Sequence, residues 1–337
     1  MQNKHPYEIG LQQVDGLTLS KYLFDAARRN IDGEITIAEA QSLIDTYYES
    51  KTARTDDSEG RTEEADKVSA RIAQILSEKS FNFSPSHLVA IHGRFFEGIF
   101  ACAGKIRDYD ISKPEWVLDG DSVIYGAAFE LRAALDYDFE QERKFSYKNL
   151  NMEETVRRIA FFVSRIWQIH AFGEGNTRTT AVFAIKYLRS LGFAVDNDIF
   201  AENAWYFRNA LVRANYTNLK AGIEESPEFL EKFFRNLLMG ERNELKNRLC
   251  HVHAESLPVN AKTAEKPSEI LPANKTQRAI LALLLENNRA TYDELAEKLG
   301  KTRETVRANL RTLEKNGLIE RVGADKNGHW NISLPRA

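Results

Sequence analysis

A short segment between two apolar, helix-like runs concentrates side chains that can perform acid–base and phosphate chemistry. The segment covers residues 166–193 and reads IWQIHAFGEGNTRTTAVFAIKYLRSLGF. His170 ends the first run, and an imidazole suits the role of a general base at neutral pH. Glu174 offers a hard carboxylate oxygen, which Mg²⁺ takes together with phosphate oxygens. Arg178 adds a permanent positive charge with several hydrogen-bond donors for phosphate.

The start of the second run favours a bound anion. Gly173 and Gly175 allow a tight turn and a close approach of the backbone to a ligand. Residues 176–179 open the next helix, where N–H groups and the helix macrodipole attract negative charge. A base, a metal ligand and a phosphate cradle within residues 170–178 indicate phosphoryl or nucleotidyl transfer. The alternative is an ordinary helix connection with capping and surface charge. A P-loop is excluded because its G-x-x-x-x-G-K-[ST] pattern is absent.

Amphipathic helices must position this segment, because apolar residues recur at spacings of three and four along most of the chain. Ser84 as N-cap and Pro85 in the first turn predict one helix start. Other predicted helices are Ile35–Ser50, Glu64–Glu78, Met152–His170 and Thr179–Leu191. The sequence therefore predicts a mainly α fold class.

One β-hairpin is predicted among these helices. Two short runs, Glu115–Leu118 and Ser122–Tyr125, flank Asp119–Gly120, a dipeptide that favours tight hairpin turns. Because an isolated two-stranded hairpin is only marginally stable, we expect this one to rest on the helical body.

Composition limits the class of protein. The chain has 337 residues, 43% of them hydrophobic and 28% charged, which is typical of a globular protein of two or three domains. A net charge of −3 implies no global attraction to nucleic acid, and two cysteines far apart argue against a disulfide framework. The N-terminus lacks a signal-peptide core and no apolar run reaches about 18 residues, so we expect a cytoplasmic protein with no membrane partner.

The last part of the chain has a different organisation. Residues 251–274 hold prolines among small and polar residues, as a linker does. Three helical patterns and two strand patterns follow in residues 275–337. This order predicts a small α+β winged helix-turn-helix domain at the C-terminus.

The third helix of this domain carries a buried stripe and a basic face. We expect the stripe to consist of Val306, Leu310 and Leu313. The basic face suits a DNA major groove, and its residues are Arg303, Arg307 and Arg311. Docking of a protein, or formation of a homodimer, is the alternative use of such a domain.

The segment HAFGEGNTRTTA resembles the Fic motif, whose usual form is H-P-F-x-[DE]-G-N-G-R-x-x-R. LVAIHGRFFEGIFACAGKIRDYDI is similar to the helix and A-G-x-x-R segment of that family, and KPEWVLDGDSVIY stands where the family has its flap. The resemblance covers residues 83–216. It implies a Fic-type helical bundle with a β-hairpin flap in residues 81–250, preceded by an N-terminal helical region in residues 1–80.

The resemblance implies protein adenylylation (AMPylation), a nucleotidyltransferase reaction. AMP would pass from ATP to a Ser, Thr or Tyr hydroxyl of a target protein, the chain itself included. His170 would take the hydroxyl proton, and Glu174 would hold Mg²⁺ against the phosphates. The nucleotide-binding positions implied are Gly175, Asn176, Thr177, Arg178, Tyr206 and Asn209.

The flap would pair its edge with an extended target segment and align the hydroxyl with His170. The flap residues implied in target binding are Trp116, Val117, Leu118, Ser122 and Val123.

Two positions depart from the Fic motif. The second glycine is Thr177, whose β-branch would crowd the phosphate site, and the final arginine is Ala181. Because the related Doc kinases also depart at the first position and transfer a phosphate, a different donor or reaction is an alternative. The alternative function is a DNA-binding transcriptional regulator whose Fic-like body binds nucleotide and is weakly catalytic or phosphotransferring.

An inhibitory helix is also implied by the resemblance. Fic proteins are often restrained by a segment of the form [ST]-x-x-x-E-[GN], which TDDSEG fits with Thr55, Glu59 and Gly60. The glutamate of that segment normally pairs with the final arginine of the motif, which is Ala181 here. The alternative is that Glu59 lies on a solvated segment.

Overall fold

The computed structural model describes residues 11–12, 16–50, 57–255, 276–277, 280, 283–284, 289–315, 319–322 and 329–332. Most of these residues are helical, as the sequence predicts. The chain divides into two compact units, Met1–Thr263 and Ala264–Ala337. Within the described residues, no helix combines the length and apolar character needed to cross a membrane.

Three helices form the N-terminal part of the first unit: α1 (Lys21–Ile31), α2 (Ile37–Ser50) and α3 (Asp57–Ser77). The carboxylate of Asp66 on α3 is buried and accepts hydrogen bonds from the backbone and hydroxyl of Ser20 and from the hydroxyl of Tyr48. A buried carboxylate requires such partners. This network therefore fixes α3 against the two helices that precede it.

Further α-helices complete the described part of the first unit, and one of them lies in its core. They are α4 (Pro85–Phe96), α5 (Leu131–Lys144), α6 (Met152–Ile169), α7 (Asn176–Ser190), α8 (Asp198–Glu202), α9 (Ala204–Arg213), α10 (Glu228–Met239) and α11 (Asn247–Cys250). Every residue of α7 from Asn176 to Leu188 is buried, and this helix contacts α3, α4 and α6. A helix buried on all sides belongs to the core. Packing therefore holds the start of α7 in place.

Local capping signals explain where the helices near the motif begin. The side chain of Ser84 accepts a hydrogen bond from the backbone N–H of His87, and Pro85 occupies the first turn of α4, as predicted. Asn151 and Glu154 form a capping box at the start of α6. The predicted start of α7 at Thr179 is wrong by three residues, because the helix begins directly after Gly175.

The strands predicted over Glu115–Leu118 and Ser122–Tyr125 are not formed. Residues Trp116–Leu118 form a short 3₁₀ helix instead, and the backbone N–H of Glu115 donates to the carbonyl of Asp121 (2.9 Å). Neighbouring side chains of a strand point to opposite faces. Val117 and Leu118 are both buried, so the chain turns to place both against the core. We keep the name flap for this loop, residues 113–125.

The flap presents few of its predicted target-binding side chains to solvent. Val117, Leu118 and Val123 are buried, while Trp116 and Ser122 are half-buried. The three buried side chains are therefore unavailable to a target, and contact at those positions would use the backbone.

The second unit contains α12 (Tyr292–Leu299), α13 (Arg303–Lys315), β1 (Ile319–Val322) and β2 (His329–Ile332). The two strands pair antiparallel, from Ile319 opposite Ile332 to Val322 opposite His329. Most of the first helix predicted for this unit, in residues 276–287, lies outside the described residues.

The third predicted helix of the second unit is α13, and its apolar stripe is buried. Val306, Leu310 and Leu313 pack into a small core together with Leu295 of α12 and Trp330 of β2. The basic face therefore lies on the side of α13 that faces away from this core.

Candidate active site

His170 lies where α6 ends. It is the C-cap residue, with left-handed φ and ψ of 51° and 55° that turn the chain away from the helix. Its carbonyl oxygen accepts a hydrogen bond from Nε of Arg107 (2.8 Å), whose guanidinium also donates to the carbonyl oxygens of Tyr109 and Gly126. The buried side chain of Arg107 therefore fixes the end of α6 against the segments on both sides of the flap.

The imidazole of His170 is buried and is able to accept a proton. Its ring centroid lies 4.1 Å from that of Tyr125 and 5.3 Å from that of Trp167. Neither ring nitrogen has a hydrogen-bond partner among the described residues. Burial holds the pKa of His170 well below its usual value, and the positive charges of Lys113 and Arg208 lower it further. The ring is therefore neutral at neutral pH, as a base must be.

A second histidine supports the loop between His170 and α7. The ring of His92 is stacked on that of Phe172, with centroids 3.8 Å apart and planes 7° apart. Nδ1 of His92 accepts from the backbone N–H of Gly104 (2.9 Å), so Nε2 carries the proton and donates to the carbonyl oxygen of Glu174 (3.0 Å). Burial lowers the pKa of His92 to about 4. This neutral ring therefore fixes both the side chain of Phe172 and the backbone of the loop.

The two glycines of the loop both lie in close contact with aromatic side chains. Gly175 has φ +75°, and a Cβ there would overlap the ring of Phe96. A Cβ on Gly173 would overlap the hydroxyl of Tyr109. Position 175 therefore needs glycine in this fold because Phe96 is buried and the backbone is left-handed, whereas the exposed Tyr109 side chain could move away from a Cβ at position 173.

Asn176 and Thr177 have bonding roles within the protein. The Asn176 side chain accepts from the backbone N–H of Phe172 (3.0 Å) and donates to the carbonyl of the same residue (2.6 Å). The hydroxyl of Thr177 accepts from Nε1 of Trp167 (3.0 Å). Asn176 thus closes the loop, and Thr177 joins α7 to the end of α6. Contact of either residue with phosphate stays a prediction.

Arg178 brings a buried positive charge to the first turn of α7. Its side chain is 1% exposed and donates to Oε1 of Gln12 (2.9 Å) and Oε1 of Glu64 (2.8 Å). The guanidinium also lies over the ring of Phe96, 4.7 Å from its centroid. The carboxylate of Glu64 therefore forms an ion pair with the guanidinium that the sequence analysis assigns to phosphate binding.

Glu174 is the exposed carboxylate of the loop. Its side chain is 58% exposed, and Oε2 lies 3.3 Å from Nζ of Lys113. Among the described residues, no group of three or more His, Cys, Asp or Glu could hold a metal ion. A single accessible carboxylate still fits Mg²⁺, which binds through one or two carboxylates when phosphates and water supply the other oxygens.

A buried ion pair supports the flap beside His170. Arg208 on α9 donates to both carboxylate oxygens of Glu115 (2.8 and 3.0 Å), and the hydroxyl of Tyr125 donates to the same carboxylate (3.3 Å). Tyr125 in turn packs on the His170 ring. Sequence reasoning assigned no role to His92, to this pair or to Arg107, the arginine of the A-G-x-x-R segment, because a buried polar contact between distant residues leaves no periodic pattern.

Tyr206 and Asn209 lie in the core of the first unit. The Tyr206 hydroxyl donates to the carbonyl of Phe229 (3.2 Å), and the Asn209 amide donates to the side chain of Asn247 (2.8 Å). Both side chains are at most 2% exposed. Contact with a nucleoside stays a prediction, and it would require these bonds to be exchanged.

The inhibitory segment is only partly described. Thr55 lies outside the described residues, and Glu59 and Gly60 are described by their backbone in α3 alone. The described carboxylate of α3 that reaches the motif belongs to Glu64, five residues after Glu59. The role of Glu59 stays a prediction.

The basic face of α13 is accessible. Arg303, Arg307 and Arg311 are exposed, and Nε of Arg303 lies 3.4 Å from a carboxylate oxygen of Asp293. Three exposed guanidinium groups at four-residue spacing lie on one face of a helix. This arrangement can meet a phosphate backbone or an acidic protein surface.

Comparisons with known proteins match the two parts of the chain separately. The model of the Fic/DOC family matches residues 82–188, and that of the winged helix-turn-helix DNA-binding family matches residues 274–320. Protein adenylyltransferase VbhT of Bartonella schoenbuchensis is 27% identical over 119 residues, which are 35% of this chain and 24% of that protein. Probable protein adenylyltransferase y4lH of Sinorhizobium fredii is 27% identical over 148 residues, 43% of this chain and 71% of that protein.

Solved structures similar to this chain are Fic proteins. The N-terminal Fic domain of a VirB-translocated Bep effector protein from Bartonella quintana, with bound ADP, has a TM-score of 0.44 and 18% identity, covering 56% of this chain and 88% of that one. A Fic family protein from Desulfovibrio desulfuricans G20 has a TM-score of 0.40 and 14% identity, covering 97% and 86%.

The chain spans about a quarter of the length of VbhT, the first of these curated relatives. The matched range of the first family includes His170, the loop of residues 171–175 (the motif loop) and α7 as far as Leu188, and that of the second includes the basic helix α13. The chain therefore contains a Fic/DOC family domain over residues 82–188 and a winged helix-turn-helix domain over residues 274–320.

Proposed function

We propose that this protein is an adenylyltransferase that moves AMP from ATP to a Ser, Thr or Tyr hydroxyl of a protein, including its own. The observation that carries the proposal is the neutral ring of His170, whose nitrogens lack partners in the described part of the chain, placed before the helix that bears Arg178. Relatives named as protein adenylyltransferases support the same reaction class.

In this reaction, His170 would act as the base and the start of α7 would bind the phosphate. His170 takes the proton of the target hydroxyl while that oxygen forms a bond to the α-phosphorus of ATP. The bond from the α-phosphorus to the bridging oxygen breaks, and pyrophosphate leaves with the electron pair. Arg178 and the first-turn N–H groups of α7 stabilise the negative charge that the phosphate carries in the transition state.

Glu174 would hold the Mg²⁺ ion that accompanies ATP. The ion, when bound, neutralises phosphate charge and orients the leaving group. The exposure of the Glu174 carboxylate supports this assignment.

The target would approach along the exposed edge of the flap. Beside Ser122 and Ile124 lies a groove of about 830 Å³, which Phe161 and Gln168 of α6 also line. Ile124 is 84% exposed and Phe161 is 56% exposed. An extended target segment could cover these apolar side chains while it bonds to flap backbone.

We further propose that α3 restrains the site through Glu64. A carboxylate on Arg178 competes directly with a phosphate for the same guanidinium donors. The 2.8 Å contact between Glu64 and Arg178 supports this role for Glu64.

Labelled ATP tests the proposed reaction. The purified chain is incubated with Mg²⁺ and either α-labelled or γ-labelled ATP, alone and with cell extract, and protein-bound label is measured. We expect label from the α-position, reduced at least about a hundredfold in His170→Asn because general-base catalysis contributes that much. Asparagine tolerates the left-handed backbone of position 170 better than alanine does. An exposed histidine provides the control, so His253→Asn should keep the activity.

Label from the γ-position alone would replace adenylylation by a kinase reaction. Transfer that persists undiminished in His170→Asn would remove His170 as the base.

A second candidate function is a DNA-binding regulator. The winged helix-turn-helix match and the exposed arginines of α13 favour it. In this alternative the Fic domain senses nucleotide without efficient transfer. Sequence-selective duplex binding without transfer from either label would favour it over the enzyme.

A further inference from the structure

Lys113, at the start of the flap, lies beside the motif loop. Its Nζ is 3.3 Å from Oε2 of Glu174 and 3.5 Å from the carbonyl oxygen of Gly173. Its backbone N–H donates to the hydroxyl of Ser122 (3.0 Å), and this bond fixes the backbone from which the lysine side chain extends. The ammonium therefore lies between the flap and the carboxylate assigned to Mg²⁺.

The other cations around the loop have roles of their own. Arg107 donates to carbonyl oxygens at the end of α6, and Arg208 binds the buried carboxylate of Glu115 through two oxygens. Arg178 is 1% exposed and contacts Glu64 and Gln12. The contacts of Arg107 and Arg208 are buried or largely buried, so their exchange is costly, and Arg178 is already assigned to the transferred phosphate.

The ion pair between Lys113 and Glu174 is much more exposed to solvent than these contacts. Its side chain is 26% exposed and that of Glu174 is 58% exposed. A solvated ion pair of this kind contributes only about 0–1 kcal/mol, so a ligand can replace it at little cost. The flexible stem of lysine then lets the ammonium follow a new acceptor.

We propose that Lys113 binds the β- and γ-phosphates of the nucleoside triphosphate, leaving Glu174 when that carboxylate takes a divalent cation. The inference rests on the proposed nucleotidyl transfer, which places the α-phosphate between His170 and α7 and the leaving pyrophosphate towards Glu174. A cation on Glu174 repels the ammonium, while the polyphosphate supplies new acceptors. The side chain at position 181 of α7 is a fully buried alanine and brings no charge to this region.

Calorimetric titration of the full chain with AMP, ADP and ATP, each with Mg²⁺, tests the role of Lys113. We expect Lys113→Gln to weaken ATP and ADP binding about tenfold, because a charge-assisted hydrogen bond contributes that much. AMP binding should stay unchanged, and Lys113→Arg should restore part of the loss. Lys105→Gln is the matched control, since Lys105 is exposed and its Nζ contacts only the carbonyl of Ala101 in the described structure.

Two results would overturn the role of Lys113. Equal loss of AMP, ADP and ATP affinity in Lys113→Gln would mean that the lysine only supports the flap. Unchanged affinity for all three would mean that it does not reach the phosphates. In either case, ATP binding and transfer by the unmodified chain would leave the proposed function intact, whereas no nucleotide binding by that chain would overturn both.

Discussion

His92 illustrates how a residue can serve the candidate site without facing a substrate. Its two ring nitrogens bond to Gly104 and Glu174, and its face covers Phe172. Asn176 closes the same loop from the other side. The loop therefore keeps its shape through neutral side chains, and the charged groups Glu174 and Lys113 remain at its surface.

The neutral state of His92 makes stability depend on pH. Its pKa is about 4 in the folded chain against 6.5 ordinarily, so the unfolded chain binds the proton more readily. The stabilisation is complete above the unfolded pKa and is lost as pH falls towards 4. Between pH 7.5 and pH 5 we expect a loss of about 2 kcal/mol in the free energy of unfolding from this group.

Denaturant titrations at both pH values measure this effect. His92→Gln should show a smaller loss between pH 7.5 and pH 5 than the unmodified chain. His253→Gln, at an exposed position, should show the same loss as the unmodified chain. Equal losses in all three proteins would contradict the assignment.

At the scale of elements, α3 and the flap meet the motif from different directions. Glu64 of α3 contacts the buried Arg178 in the first turn of α7. Lys113 of the flap contacts the exposed carboxylate of Glu174 in the loop before α7. The buried contact is expensive to break and the exposed one is not. The two elements can therefore respond differently to a bound nucleotide.

Removal of the Glu64 carboxylate should raise activity. We expect Glu64→Ala to bind ATP about tenfold more tightly and to transfer AMP faster, because the competing acceptor on Arg178 is gone. Transfer of α-label and calorimetric ATP affinity measure this. Glu63→Ala is the matched control, since Glu63 pairs with Lys67 on the same helix (2.8 Å). Unchanged affinity and rate in a folded Glu64→Ala protein would rule out the restraint.

The elements differ in how far the sequence could predict them. Periodic apolar residues and caps predict the start of α4 and both ends of α6 closely, because local signals mark those positions. The hairpin prediction failed because Val117 and Leu118 pack on the same core, which only the tertiary structure reveals. The contact between Glu64 and Arg178 could not be predicted from the sequence, since 114 residues separate the two and no local pattern around either residue indicates the other.

At the scale of the whole molecule, a Fic/DOC family domain and a winged helix-turn-helix domain share one chain. The net charge of −3 gives no general attraction to DNA. Any DNA binding must therefore come from a local basic surface, and the exposed arginines of α13 provide one.

Salt-dependent duplex binding measures the contribution of that face. We expect Arg307→Ala to weaken binding and to reduce the slope of log affinity against log salt by about one, as loss of one phosphate contact does. Lys148→Ala removes an exposed positive charge from the first unit and should leave the slope unchanged. Equal slopes in all three proteins would exclude a phosphate contact by Arg307.

The contact of Arg178 with Gln12 and Glu64 also has a consequence for the order in which the protein is made. Gln12 and Glu64 precede the arginine by 166 and 114 residues. A chain grows from its N-terminus, and its early segments begin to fold first. Both partners have therefore left the ribosome before Arg178 is added. The two partners of Arg178 are synthesised ahead of it, so a newly made chain need not pass through a stage in which this cation lacks them.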